Sequence, residues 1–136
     1  MDNSPHRRHA VFFYGLYMDP EILHAKSVEP HHPRKALARG FRLRVGNMAT
    51  LLREPGAVAH GMLYDLTHAD IDTLYRAAGL DAYVAEAITV ETDAGETLAA
   101  LCCNLLVPPA ADESNPAYFA KLVACMTRLG LSVPAA

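Results

Sequence analysis

The residues best placed to do chemistry lie where an apolar, aromatic run meets the start of a helix. Residues 11–14, Val-Phe-Phe-Tyr, favour a buried strand, and Gly15 permits a turn that other residues resist. Asp19 can cap a helix, Pro20 fits its first turn, and Glu21 suits the positive end of its dipole. Together these signals predict a concave row of backbone N–H groups able to hold a carboxylate or an oxyanion. The alternative is an ordinary strand-to-helix connection.

Histidines and cysteines are the other residues that could carry chemistry. The seven histidines are scattered, and none shows the paired helical spacing that a zinc site uses. Cys102 and Cys103 are adjacent, so they point to opposite faces of a strand, and Cys125 falls on the last predicted helix. A nucleophilic thiol paired with a histidine is the alternative at Cys102, but no local signature marks that thiol as activated. We therefore expect packing roles for the cysteines and no metal site.

Composition and charge restrict the class of protein. The chain has 136 residues, 51% hydrophobic and 20% charged, which is typical of one globular domain with a real core. The formal net charge of -3 argues against a nucleic-acid partner, and no apolar run reaches the length of a membrane span. Residues 1–9 lack the apolar segment of a signal peptide, and an odd number of cysteines fits a reducing compartment. We expect a cytoplasmic protein without nucleic-acid or membrane partners.

Alternation and turn signals predict an order of strands with single helices between them. Residues 1–9 are predicted as a flexible arm and residues 10–136 as a single domain. The prolines within 30–33 and the Glu-Pro-Gly turn signal at 54–56 are expected to interrupt the chain. Because helices and strands do not alternate regularly, an α+β fold with a small mixed, barrel-like sheet fits best. The predicted strands cover 10–14, 41–45, 49–52, 58–66, 83–90 and 98–107, and the predicted helices begin at Pro20, Thr67 and Asn115.

Four short motifs occur in an order that points to one family. Residues 14–18 read Tyr-Gly-Leu-Tyr-Met after the first strand, and residues 40–43 read Gly-Phe-Arg-Leu. Residues 61–66, Gly-Met-Leu-Tyr-Asp-Leu, precede a helix, and Tyr83 opens the strand after it. Each motif is weak alone, and their order over roughly residues 10–107 makes the set more specific. In this arrangement the chain resembles the γ-glutamylcyclotransferase-like family, which includes plant proteins called AIG2-like.

The resemblance implies a small barrel with flanking helices and a pocket at the Tyr-Gly loop. It implies intramolecular acyl transfer, in which the α-amine of a γ-glutamyl group attacks its own side-chain carbonyl and yields 5-oxoproline and a free amine. No cofactor is needed. The oxyanion site and carboxylate cradle would lie on backbone N–H groups near Gly15, Leu16 and Tyr17. The residues expected to bind substrate are Tyr14, Gly15, Leu16, Tyr17, Met18 and Tyr83.

One catalytic group of the family has no counterpart in this sequence. The family moves protons with a glutamate at the end of the helix before the Tyr83 strand, and that position falls at Ala77 or Ala78 here. Neither alanine can carry a proton, so Asp81 and Glu86 are the candidate catalytic acids. Strand parity groups Glu86 with apolar residues, which predicts a raised pKa suited to a general acid or base. The alternatives are a solvated strand charge for Glu86 and a turn role for Asp81.

Three functions remain open at this point. The first is a cyclotransferase-like enzyme in which Tyr83 orients the substrate and Glu86 or Asp81 moves protons. The second is a non-catalytic module that binds a small amino-acid-like ligand, and the third is an interaction domain without a small-molecule site. The expected partner is a small γ-glutamyl or amino-acid-like ligand. The sequence leaves the amine portion of that ligand and the oligomeric state undetermined.

Overall fold

The computed structural model describes residues 3–76 and 80–134. In these residues five strands and three α-helices follow one another in the order strand, helix, strand, strand, helix, strand, strand, helix. A short 3-10 turn at Leu16–Met18 separates the first strand from the first helix. The elements are β1 Arg8–Phe13, α1 Pro20–Ala25, β2 His31–Val45, β3 Ala49–Thr67, α2 His68–Tyr75, β4 Tyr83–Thr92, β5 Thr97–Leu105 and α3 Pro116–Arg128.

The strands form a closed barrel in the order β1-β3-β2-β4-β5. The pairs β1–β3, β2–β3, β2–β4 and β4–β5 are antiparallel, whereas β1 closes the barrel by a parallel contact with β5 at Val11 and Leu101. Closure removes the exposed sheet edges that would otherwise pair with another chain. The predicted α+β class with a mixed, barrel-like sheet is confirmed.

Alternating residues of β1 face two different cores. Phe12 packs with Leu63 and Ile88 in a cluster drawn from the strands, which is the interior of the barrel. Phe13 packs on the other side, where Leu122 of α3 is also buried. Successive side chains of a strand point to opposite faces, so one short apolar strand serves both cores. The Tyr-Gly loop leaves this strand between the barrel and the helices.

The hairpin of β2 and β3 is much longer than predicted. Residues 30–33 and 54–56 were expected to interrupt the chain, but β2 begins at His31 and β3 runs unbroken through Glu-Pro-Gly. The disturbance is absorbed as an irregular register, because Arg39 pairs with Val58 while Phe41 pairs with Arg53. In this exposed bulge, residues 54–57 of β3 lie opposite Gly40 of β2. Extra residues of this kind bend a strand without ending it.

The first residues are held more closely than a loose arm would be. Strand β1 begins at Arg8, and the carbonyl oxygens of Pro5 and Arg7 accept hydrogen bonds from the N–H groups of Ala69 and His68, at 3.0 and 2.9 Å. These are the N–H groups that the first turn of α2 cannot satisfy internally. Residues 5–7 therefore cap α2, and the single domain over 10–136 stays a prediction.

The helix starts agree with their sequence signals. The Thr67 hydroxyl accepts from the Asp70 N–H at 3.1 Å, and the Asn115 side chain accepts from the Tyr118 N–H at 3.1 Å. Asp19 caps α1 in the same way through the Glu21 N–H. Such caps stabilise a helix end by about 1 kcal/mol each. Across the described residues, no helix has the length and apolar character needed to cross a membrane.

Candidate active site

A cavity of about 420 Å³ opens at the Tyr-Gly loop, between one end of the barrel and the helices. This volume is within the usual range for small-molecule sites. Its walls come from the end of β1 and the loop after it, the turn between β2 and β3, the end of α2, the start of β4 and the first turn of α3. Five of the side chains that line it are tyrosines: Tyr14, Tyr17, Tyr75, Tyr83 and Tyr118.

Five of the six residues predicted to bind substrate line this cavity. They are Tyr14, Gly15, Leu16, Tyr17 and Tyr83. The sixth, Met18, differs from the prediction, because it is fully buried in the core beneath the loop. Its carbonyl oxygen accepts from the Tyr64 hydroxyl at 2.6 Å. Met18 therefore supports the loop from below instead of facing a ligand.

Glycine is needed at position 15 because the Tyr118 side chain approaches its backbone closely, and not because of its backbone angles. Its φ of -110° and ψ of -160° are extended values that other residues adopt readily, so the predicted turn through glycine freedom is wrong. A methyl group at Gly15 would lie 2.5 Å from the Tyr118 hydroxyl oxygen. The absent side chain makes room for the tyrosine from α3 to reach the loop.

The Leu16 amide, which was expected to face an anion, donates to the Tyr118 hydroxyl oxygen at 3.1 Å. Asn115 positions this tyrosine by capping its N–H, and the Asn115 side chain also donates to the Asn47 carbonyl at 3.3 Å. Among the described residues, the Tyr118 hydroxyl hydrogen has no acceptor of its own. The Tyr118 hydroxyl can therefore accept a hydrogen bond from the Leu16 N–H and donate its own hydrogen to a ligand in the cavity.

Three other cavity tyrosines use their hydroxyl hydrogens within the protein. Tyr14, Tyr17 and Tyr83 all donate to backbone carbonyl oxygens, which fixes the orientation of their rings. Burial raises the pKa of each of these phenols, so all three are neutral near pH 7. The acceptors are the Cys103 carbonyl for Tyr14, at 2.6 Å, the Leu74 carbonyl for Tyr17, at 3.0 Å, and the Ala49 carbonyl for Tyr83.

Tyr75 is the last residue of α2 and stands between two tyrosine rings. Its ring centroid lies 5.7 Å from that of Tyr17 and 6.0 Å from that of Tyr83. Burial holds the pKa of Tyr75 well above its ordinary value, and the Cys103 thiol beside its hydroxyl contributes to this. Tyr75 is thus a neutral, half-buried phenol that lies beside a weakly accepting sulfur.

Lys26 carries the charge in the described lining of the cavity. It is exposed at the end of α1, and its ammonium nitrogen lies 5.8 Å from the centroid of the Tyr17 ring. Attraction between an ammonium and an aromatic face holds the side chain beside the opening. A ligand with a carboxylate meets a matching positive charge at this point.

The two acids predicted to move protons do not line the cavity. Asp81 is exposed in the loop before β4. The predicted raised pKa of Glu86 is wrong: a hydrogen bond from Arg53 at 2.9 Å lowers its pKa, and one from Asn104 at 2.8 Å adds to this, while burial opposes both. The catalytic role of either acid stays a prediction. Ala77 and Ala78 lie outside the described residues.

Glu86→Gln is expected to remove a pH-dependent part of the stability. The folded-state pKa is below the unfolded one, so the ionised group stabilises the fold above about pH 4.5, and this is lost as the pH falls through the folded pKa. We expect the difference in free energy of unfolding between wild type and variant to shrink by about 1 kcal/mol or less between pH 6 and pH 3. Urea titrations at both pH values measure it, and an unchanged difference would contradict the assignment.

Two tyrosines of the site were missed in the sequence. Neither Tyr75 nor Tyr118 was among the residues expected to bind substrate. The spacing of Tyr118 to the buried Leu122 and Cys125 is i, i+4, i+7, which places all three on one helix face. That pattern was a usable signal for Tyr118. For Tyr75, the sequence pattern of a residue that packs in the core is the same as that of a residue that lines the site, so the sequence does not distinguish these two roles.

The protein-family model described as "Gamma-glutamyl cyclotransferase, AIG2-like" matches residues 11–117. A comparison with curated proteins found no match. A solved structure titled "Gamma-glutamyl cyclotransferase" has a TM-score of 0.75 and 20% identity, and the alignment covers 93% of this chain and 83% of that one.

Two further solved structures share the fold. An uncharacterized protein from Homo sapiens has a TM-score of 0.74 at 20% identity, with 93% of this chain and 82% of that chain covered. A γ-glutamyl cyclotransferase specific to glutathione from yeast has a TM-score of 0.64 at 14% identity, with 92% and 89% covered. At these identities the likeness is one of fold.

Proposed function

Because the chain belongs to the gamma-glutamyl cyclotransferase, AIG2-like family, we propose that its tyrosine-lined cavity converts a γ-glutamyl amine or peptide into 5-oxoproline and a free amine. The observation that carries the proposal is the contact of the Leu16 amide with Tyr118, which leaves a hydroxyl donor free at the Tyr-Gly loop. Acyl transfer needs such a donor where negative charge develops on the carbonyl oxygen.

The main requirement of the reaction is that the α-amine and the δ-carbonyl of the substrate are held in the correct orientation. The neutral α-amine of the substrate attacks the δ-carbonyl carbon, a C–N bond forms, and the carbonyl oxygen becomes negative. The bond to the leaving nitrogen then breaks as that nitrogen gains the proton that the attacking nitrogen loses. Holding the two ends of one molecule together lowers the barrier, because effective molarities for well-oriented intramolecular attack reach about 10⁵ M or more.

The cavity offers matching partners for the two charged groups of the reacting molecule. We assign the developing oxyanion to the Tyr118 hydroxyl, which the Leu16 N–H polarises from behind at 3.1 Å. We assign the α-carboxylate of the substrate to Lys26 and to the backbone of the loop over residues 15–17. The aromatic walls exclude water from the ring that forms, which favours attack by the amine over hydrolysis.

The experiment that tests this function is a turnover screen. Purified protein is incubated with γ-glutamyl dipeptides, γ-glutamyl amines and glutathione, and 5-oxoproline is measured by mass spectrometry against a heat-denatured control. Release above the control from at least one compound is expected. No release from any compound by folded protein would overturn the enzymatic function.

A second candidate function is ligand binding without turnover. It is favoured by one specific observation: none of the described residues that line the cavity is a carboxylate, and Ala77 and Ala78 carry no ionisable group. Calorimetry with 5-oxoproline and with γ-glutamyl peptides separates the two functions. Binding of a γ-glutamyl peptide that is recovered unchanged would support this second function.

The cysteines support a reducing location, and we propose the cytoplasm. Cys102, Cys103 and Cys125 are all free and buried. Burial raises the pKa of the Cys102 thiol to about 12, so this group is inert as a nucleophile near neutral pH. These thiols pack as small apolar residues. The proposed partner is the small γ-glutamyl molecule.

A further inference from the structure

The hydroxyl hydrogens of the cavity tyrosines divide into two groups. Tyr14, Tyr17 and Tyr83 donate to backbone carbonyl oxygens, which are strong acceptors that a ligand does not readily displace. In the described part of the chain, the Tyr118 hydroxyl has no acceptor, and the Tyr75 hydroxyl lies beside the Cys103 thiol without a hydrogen bond of regular geometry. Tyr75 and Tyr118 are therefore the two phenols whose hydrogens a bound molecule can take.

The group beside the Tyr75 hydroxyl is the Cys103 thiol, which is a weak acceptor. A hydrogen bond from Tyr75 to a substrate nitrogen or oxygen therefore displaces no strong bond within the protein. The ring itself is held, because α2 positions its backbone and the rings of Tyr17 and Tyr83 pack on it at 5.7 and 6.0 Å. Tyr75 thus combines a fixed ring with a hydroxyl that can accept one proton while it donates another.

We infer that Tyr75 is a catalytic residue that moves the proton from the attacking α-amine to the leaving nitrogen. The inference rests on the proposed function and deepens it. Tyr118 is then left to stabilise the oxyanion beside the Leu16 amide. Tyr75 thus serves proton transfer, and Tyr118 serves oxyanion stabilisation.

The proton transfer balances without any co-reactant. As the α-amine nitrogen forms its bond to the carbonyl carbon, it gives up a proton to the Tyr75 oxygen. The Tyr75 hydroxyl hydrogen passes to the leaving nitrogen, and the C–N bond to that nitrogen breaks with its electron pair. Tyr75 ends neutral, and the products are 5-oxoproline and a neutral amine.

A phenol in this role gives a pH dependence different from that of a carboxylate. Burial keeps Tyr75 protonated across the neutral range, so the rate should rise with pH as the substrate amine loses its proton. The decrease in rate at acidic pH should follow the protonation of the substrate amine alone, without a further decrease from an enzyme group until the protein unfolds. The ionisable groups that face Tyr75 are Cys102, Cys103, Tyr14, Tyr17 and Tyr83, and none of them is charged near pH 7.

The test compares Tyr75→Phe with Tyr64→Phe, which removes the same atom from a buried tyrosine outside the cavity wall. We expect Tyr75→Phe to lower kcat about 100- to 10,000-fold, with affinity for 5-oxoproline within about threefold of wild type by calorimetry. Tyr64→Phe should keep kcat within about threefold. Circular dichroism measures whether each variant is folded.

The kinetic results test the role of Tyr75 and the proposed function separately. A kcat for Tyr75→Phe within about threefold of wild type would overturn this inference and leave the proposed function intact. Absence of turnover in wild type would overturn both. Tyr75→Glu supplies a second decision if the phenylalanine variant is unfolded. A carboxylate there should retain turnover and add a loss of activity at acidic pH, and the unaltered wild-type pH profile would count against Tyr75.

Discussion

Gly15→Ala is expected to lower kcat/KM for 5-oxoproline release about 100- to 1,000-fold, the usual effect of removing an oxyanion donor. The new methyl carbon would lie 2.5 Å from the Tyr118 hydroxyl oxygen, well inside van der Waals contact. The tyrosine must move away, and the 3.1 Å hydrogen bond from the Leu16 N–H is lost with it. Steady-state kinetics on the best compound of the turnover screen measures the effect.

Two variants separate this effect from a general loss of stability. Gly95→Ala changes a glycine in the turn between β4 and β5, where φ is +88° and nothing lies within 4 Å. It should lower stability through backbone strain and leave kcat/KM unchanged. Tyr118→Phe combined with Gly15→Ala should cause little further loss beyond Tyr118→Phe alone, because both changes remove the same donor. Full activity of Gly15→Ala would contradict the assigned role of Tyr118.

Gly61→Ala is expected to destabilise the fold by about 3 kcal/mol or more. A methyl group at Gly61 would lie 2.2 Å from the Phe13 carbonyl oxygen and 3.0 Å from the Phe12 ring. The first of these is backbone of the adjacent strand and cannot rotate away, so β1 and β3 must separate. Such a loss is a large part of the stability of an ordinary domain.

Urea denaturation of Gly61→Ala measures the free energy of unfolding directly. The matched control is Ala59→Gly, which makes the reverse exchange two residues earlier on the same face of β3. It should cost about 1 kcal/mol through the lost methyl contact and the added freedom of the unfolded chain. An unfolding midpoint of Gly61→Ala equal to that of wild type would show that the strands tolerate separation here.

The loop was predictable in composition but not in its hydrogen bonds. The apolar run over 11–14 and the cap at Asp19 correctly indicated a strand, a tight connection and a helix start. The bond between Leu16 and Tyr118 joins residues 102 positions apart in sequence, and local patterns carry no information about such a pair. The role of Gly15 follows from that long-range contact.

The long hairpin was mispredicted because a turn signal was taken as a strand end. Glu-Pro-Gly at 54–56 has the composition of a tight turn, and in this chain it forms a bulge within β3. Gly56 adopts a φ of +85° and Gly40, in the bulged region of the partner strand, a φ of +82°. A bulge and a turn use the same residues, and only the pairing partner distinguishes them.

The end of α2 was hard to place from the sequence. The resemblance placed the family glutamate at Ala77 or Ala78, whereas the described helix ends at Tyr75, whose side chain lines the cavity. Helix ends are the least certain feature of a sequence pattern, and a shift of two residues turns a side chain to the other face. The pKa of Glu86 was mispredicted for a different reason. Its strand face was predicted correctly, but its hydrogen-bond partners Arg53 and Asn104 are distant in sequence and could not be identified from it.

The most direct test of the central claim is turnover of a γ-glutamyl substrate in water labelled with ¹⁸O. Attack by the substrate's own amine brings no water oxygen into the product, whereas hydrolysis places ¹⁸O in glutamate. We expect unlabelled 5-oxoproline in equal amount to the released amine, with the yield lowered by Gly15→Ala. Glutamate carrying ¹⁸O, or an unchanged substrate after incubation with folded protein, would contradict it.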